Sequence, residues 1–306
     1  MGKFINPFSD VGFKRIFGQE MSKPLLIDFL NNLLEGERHI KDLRFLDKEL
    51  LPVSRDDRSL IYDIYCETDN GDNIIVEMQN RPQPYFKQRT IYYASSSIAR
   101  QGERGSDWCY DIKAVYCISF LNFVQSEISS EFRTDVALMD IHANSLFSDK
   151  IRLIYLQLPL FVKEVDECDN DFERWIYVLK NMETLKRLPF AAKSAVFKRL
   201  AEITDIASLT KQERMMYDES LRKFRDTIGV MEGARLSGVK QGLEQGLEQG
   251  RAEGRAEGRA EGRAEGRAEG RIDEQRRIAR ELREIGTTIS TISKVTGLTE
   301  EDINSL

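Results

Sequence analysis

The chain has 306 residues, 41% apolar and 9% aromatic, which is enough for a packed core and for roughly two domains. Forty-five Lys and Arg face 51 Asp and Glu, a net charge of −6. That excludes a protein that coats nucleic acid through bulk charge, but not one with a local basic groove. No apolar run approaches the ~18 residues of a membrane span, and MGKFINPFSD holds no apolar signal segment, so the expectation is a soluble cytoplasmic protein with no membrane partner.

Cys66, Cys109, Cys117 and Cys168 lie far apart with no C-x-x-C, and are expected as reduced core residues rather than a disulfide framework or a zinc site. His39 and His142 have no ligand-type residue at metal spacing and read as surface or half-buried histidines. There is no G-x-x-x-x-G-K-[ST] loop and no G-x-G-x-x-G fingerprint, so no nucleotide cofactor is expected.

In chain order, residues 22–36 place Leu25, Leu26, Phe29, Leu30, Leu33 and Leu34 on one broad helical face, with Ser22 as N-cap, Pro24 in the first turn and Gly36 as the stop. Three strand-like runs follow at 41–53, 59–68 and 73–79, then an amphipathic helix at 84–101 and a continuous apolar strand at 112–123. The order is α-β-β-β-α-β, completed by a strand at 151–158 and helices from about 170 to about 235.

Tyr62–Gln79 carries carboxylates inside strand patterns, Asp63 between Tyr62 and Ile64 and Glu77 between Val76 and Met78. Alternation puts Asp63 with Ile61 and Tyr65, and Glu77 with Ile75 and Gln79, so Glu77 and Gln79 share a face about 7 Å apart. The turn leaves two registers open. A two-residue Asn70-Gly71 hairpin places Asp63 opposite Met78, on the other face from Glu77. A three-residue Asp69-Asn70-Gly71 loop with Gly71 left-handed places Asp63 across from Glu77, with Cβ atoms ~4.5–5.5 Å apart. Facing carboxylates repel unless one takes a proton or both share a cation. Mg²⁺ suits such a pair and leaves positions for water and phosphate, which is the chemistry of phosphodiester hydrolysis. Gln79 is then placed to position the attacking water. The alternative is a solvated sheet face with unrelated polar residues.

The D-x(n)-E-x-Q pattern on consecutive strands within the α-β-β-β-α-β order resembles the PD-(D/E)XK nuclease superfamily. More narrowly it resembles the Rpn family, recombination-promoting nucleases and transposase-like proteins. SDVGFKRIFG (Ser9–Gly18), DFLNNLLEGE (Asp28–Glu37), DLRFLDKEL (Asp42–Leu50), IIVEMQNRPQPYFKQRTIYY (Ile74–Tyr93) and DIKAVYCISFLNF (Asp111–Phe123) carry the likeness over roughly residues 4–235. It implies a metal-dependent DNA endonuclease of recombination, mobile-element or phage-defence type. Asp63 and Glu77 would bind Mg²⁺, with Mn²⁺ able to substitute, and Gln79 would stand where most of the superfamily has lysine. Glutamine can hydrogen-bond but brings no charge to the phosphate, so slower chemistry, or a greater share borne by the metal, is expected. Lys14, in the family's D-x-x-F-K segment, and Arg89 are the candidate phosphate-binding residues. The other reading is a weak or inactive DNA-binding or regulatory protein that retains the fold.

Residues 81–113 interleave Arg81, Lys87, Arg89, Arg100, Arg104 and Lys113 with Tyr85, Tyr92, Tyr93 and Trp108, a local charge of +3 once Glu103, Asp107 and Asp111 are counted. That suits a phosphate-tracking groove, or tyrosines that simply pack on the sheet.

From Gly238 to Gly270 glycine recurs every fourth residue, through GLEQ twice and RAEG five times. Each glycine costs a helix ~1 kcal/mol relative to alanine, and Arg faces Arg and Glu faces Glu at i, i+4. The expectation is a flexible spacer or weakly helical arm; a glycine row against a second chain would need supercoiling. Ile278–Leu306 reads as three short helices, starting in part at Thr287 and Thr299 with stops at Gly286 and Gly297, a helix-turn-helix-like tail for dimerisation, autoregulation or DNA docking. The expected organisation is a nuclease core at 1–160, a helical extension at 161–235, the repeat at 236–271 and the tail at 272–306, in a homo-oligomer, a dimer.

Overall fold

The structure, a computed structural model, describes residues 2–50, 60–102, 109–125 and 127–306. Parts of the expected strand runs (51–53 and 59), and Glu103, Arg104, Asp107 and Trp108, lie outside the described residues. The contacts divide the chain into Met1–Glu232 and Gly233–Leu306.

The first unit begins with α1 (Asp10–Phe17), whose N-cap Ser9 accepts the Gly12 N–H on its hydroxyl at 3.1 Å. Helix α2 (Lys23–Leu33) buries Leu25, Leu26, Phe29, Leu30 and Leu33, has Pro24 in its first turn, and is followed by Gly36 at φ +81°. Ser22 precedes it as expected, although its hydroxyl donates to the Gln19 carbonyl instead of capping α2. Then come β1 (Leu43–Phe45), the short antiparallel pair β2 (Glu49–Leu50) and β3 (Leu60–Ile61), β4 (Ile64–Thr68), β5 (Asn73–Gln79), α3 (Phe86–Ala99) and β6 (Val115–Leu121). A hairpin of β7 (Arg133–Asp140) and β8 (Ser145–Gln157) closes a six-stranded sheet in the order β1-β4-β5-β6-β8-β7. β6 runs parallel to both β5 and β8, and the other pairs are antiparallel.

The α-β-β-β-α-β core is therefore present, with additions. The strand expected at 151–158 starts earlier, at Ser145, and β7 has no counterpart in the sequence reading. β7 is an edge strand with mostly exposed residues, so neither burial nor clean alternation marks it.

The sheet packs helices on both faces. Ile64, Cys66, Ile74, Val76, Ile118, Phe120, Ile154 and Leu156 meet α1, α2, α4 (Asp171–Asn181) and α5 (Ala195–Thr204). Phe120 lies 5.3 Å from Phe29 and 6.0 Å from Phe17 between ring centroids, and Trp175 lies 5.8 Å from Phe17 and 5.2 Å from Phe197. Helices α4 and α5 thus share the sheet's core. On the opposite face, Tyr65, Ile75, Cys117 and Leu153 pack with Phe86 and Ala94 of α3. Of the four cysteines, Cys66, Cys117 and Cys168 are buried as expected, but Cys109 is exposed. His39 and His142 are exposed.

Helix α6 runs from Lys211 to Glu284 and includes the whole repeat, which is therefore helical where a spacer or weakly helical arm was expected. The glycine penalty is real, but three residues in every RAEG are strong helix formers, none is proline, and the stretch extends an existing helix, so no new nucleus has to form. In the second unit, the end of α6, α7 (Ile289–Thr296) and α8 (Glu300–Asn304) enclose a small core of Ala279, Ile292 and Ile303. Thr288, one residue later than expected, is the N-cap of α7. Gly286 at φ +85° and Gly297 at φ +72° stand at the expected stops, and Thr299 forms a capping box with Asp302. No described helix is long and apolar enough to cross a membrane.

Candidate active site

The β4–β5 turn decides between the two registers. The Thr68 N–H donates to the Asp72 carbonyl at 2.9 Å and the Gly71 N–H to the Thr68 carbonyl at 2.9 Å, around a loop of Asp69, Asn70 and Gly71. Gly71 sits at φ +84°, where a side chain would be strained. The strands pair Ile64 with Val76 and Tyr65 with Ile75, and one residue further along this register places Asp63 opposite Glu77. Glu77 shares the α3-side face with Ile75, so the two acids meet on one side of the sheet.

They meet through the backbone as well. The Asp63 N–H donates to Glu77 Oε1 at 3.3 Å, and the Met78 N–H donates to Asp63 Oδ2 at 2.8 Å. At this end of the hairpin the carboxylates accept bonds that main-chain carbonyls would otherwise take. Glu77 is 4% exposed, and burial, reinforced by the Asp63 charge, pushes its carboxyl up to about 8. Burial also raises Asp63; the Met78 N–H and the charges of Lys14 and Arg89 pull it back down, while Asp10 adds to the rise. Without a cation, the pair holds a proton near neutrality. The donor set fits a hard divalent ion: two facing carboxylates with no third His, Cys, Asp or Glu converging on them among the described residues, which leaves the other coordination positions to water or phosphate.

Gln79 completes a chain of side chains. Its Nε2 donates to Glu77 Oε2 at 3.1 Å, and its Oε1 accepts from Gln83 Nε2 at 3.0 Å. Gln83 Oε1 in turn accepts from Arg89 Nη1. The Arg89 guanidinium lies over the rings of Phe86 and Tyr93, at 5.1 and 5.6 Å from their centroids, and its buried Nε and Nη2 have no hydrogen-bond partner among the described residues. Its charge favours the ionised forms of both Glu77 and Asp63.

The family model for PD-(D/E)XK nuclease family transposase matches residues 7–234. The chain belongs to this family. No curated protein and no solved structure matches it. Membership gives the first unit a nuclease, transposase-like function with DNA as the implied substrate, in a superfamily that generally uses divalent metals.

The structure thus gathers Asp63, Glu77, Gln79 and Arg89 into one cluster. Lys14 stands at its edge, near enough to act on Asp63 through its charge, while its ammonium is ion-paired with Asp10 one turn earlier. Tyr93 packs against Tyr62 at 5.1 Å, as the sheet-packing reading expected, whereas Tyr92 is half exposed and Tyr85 is 78% exposed. Lys87 donates to the Glu127 carbonyl at 2.8 Å. Gln83 was missed. The one signal for it was its place between Pro82 and Pro84, four residues after Gln79, which reads as loop filler until the fold is known.

Proposed function

We propose that the chain is a metal-dependent DNA endonuclease whose cation is held by Asp63 and Glu77. The observation that supports this is the pairing of two buried carboxylates across β4 and β5, with Gln79 bonded to one of them. When bound, Mg²⁺, or Mn²⁺ in its place, would polarise the scissile phosphate and activate water. The chain's own residues do the rest. Gln79 orients water or a phosphate oxygen through the Nε2 hydrogen that Glu77 leaves unused. Arg89, with two buried nitrogens unpartnered among the described residues, supplies the positive charge absent from position 79, and Lys14 adds to it once released from Asp10. The exposed Tyr85 and Tyr92 offer stacking surfaces to an approaching strand.

The test is cleavage of supercoiled plasmid in Mg²⁺ by the wild type, Asp63→Ala and Glu77→Ala. Cutting by the wild type alone supports the assignment, and equal cutting by all three removes it. DNA binding without cutting by any of them favours a regulatory protein that keeps the nuclease fold.

A further inference from the structure

We infer that Gln83 is a positioning residue that anchors the Gln79 amide in place against Glu77, an inference that rests on the nuclease reading of Asp63, Glu77 and Gln79. A carboxylate only accepts, so Glu77 already takes the donor end of the Gln79 amide; what Gln83 adds is a second contact, at the acceptor end, that keeps the amide from swinging away. Here the order runs from Arg89. A guanidinium can only donate, so Gln83 must turn Oε1 toward Arg89 Nη1. That leaves Gln83 Nε2 for Gln79, and it donates to Gln79 Oε1 at 3.0 Å. Gln79 is then left with Nε2 for Glu77, which it gives to Oε2 at 3.1 Å. Each link fixes the next.

The loop that carries Gln83 is stiff. Pro82 and Pro84 restrict the backbone on either side of it. Before it, the Asn80 side chain donates to the Phe8 carbonyl at 2.7 Å, and the Asn122 N–H donates to the Gln79 carbonyl at 2.9 Å. After it, Arg89 is held over Phe86 and Tyr93. A lysine at position 79 would offer no acceptor to Gln83 Nε2, so this anchoring contact belongs to a glutamine. Gln83 thus holds the acceptor end of the Gln79 amide while Glu77 holds one hydrogen of its donor end.

Two substitutions separate orientation from packing. Gln83→Glu keeps the size and the acceptor for Arg89 but loses the donor to Gln79, and Gln83→Leu loses both. In the full chain with Mg²⁺ and plasmid, kcat should fall about ten- to a hundredfold in each, with KM changed by less than about twofold. In a Gln79→Lys background, Gln83→Leu should change kcat by less than about twofold, because the ammonium has no acceptor through which Gln83 could hold it. An undiminished Gln83→Leu enzyme, or the same loss in the Gln79→Lys background, overturns the proposal. NMR of the side-chain amides in the metal-free full chain reads the orientation without turnover. The Gln79 Nε2 protons should exchange at least about tenfold faster in Gln83→Leu than in the wild type. Unchanged exchange overturns the role of Gln83 even if the enzyme cuts. A wild type that does not cut refutes the nuclease reading, and the exchange measurement still decides on Gln83.

Discussion

Helix α2 turns five apolar side chains into the core, each at most 1% exposed, whereas the RAEG stretch of α6 turns none inward: a Cβ added at any glycine from Gly250 to Gly270 would meet nothing within 4 Å. α2 is held by what it packs against, the repeat by its own backbone ladder and residue propensities. Stability of the first kind is shared across the unit and lost together; stability of the second kind is graded and local. The carboxylate pair sits wholly on the first kind of foundation, since Glu77 is carried on a buried strand between β4 and β6.

That contrast can be tested at decreasing scale. Phe29→Ala should destabilise the first unit by about 3–5 kcal/mol in urea unfolding, because it empties the centre of the aromatic cluster. A cost below about 1 kcal/mol would mean that this core is not what holds α2. Glu77→Ala should lower plasmid cleavage on the order of a hundred- to a thousandfold while leaving that unit folded, as read by near-UV circular dichroism.

The third test uses pH. Glu77 is raised from the ordinary carboxylate range to about 8 in the fold, so over that window the folded state holds a proton that the unfolded state has released. The metal-free protein should therefore lose stability as pH rises from about 4.5 to about 8, and Mg²⁺ should restore more at the upper end than at the lower. Glu77→Gln should flatten the profile; a thermal melt series with and without chelator decides. The smallest effect belongs to the repeat. Gly254→Ala and Gly262→Ala should each add about 1 kcal/mol of local helix stability, visible as higher far-UV helicity on warming, without moving the unfolding transition on which Phe29 acts. A loss of helicity would show instead that the glycines make contacts.

The sequence made the α-β-β-β-α-β core legible because its strands are either buried or alternating and its second helix has a cap, an apolar face and a stop. It reached the carboxylate pair only as one of two registers. Asn70-Gly71 suits both turns, with Gly71 left-handed in each, and what separates them is the hydrogen bonds of Thr68, which residue types do not determine. β7 escaped because an exposed edge strand carries no burial signal. Gln83 escaped because its role exists only once β5, the following loop and α3 have come together. The repeat was judged on its glycines and its like-charge pairs, without the helix it continues.

The exchange of bonds at the open end of the β4–β5 hairpin has a mechanical consequence. Because the Asp63 and Met78 amides are tied to the two acids themselves, fraying of those strand ends and dismantling of the acidic pocket are one event. A cation lodged there would rivet the hairpin shut from the side opposite its turn, and the solvent protection of two backbone protons becomes a built-in gauge of whether the pocket is filled.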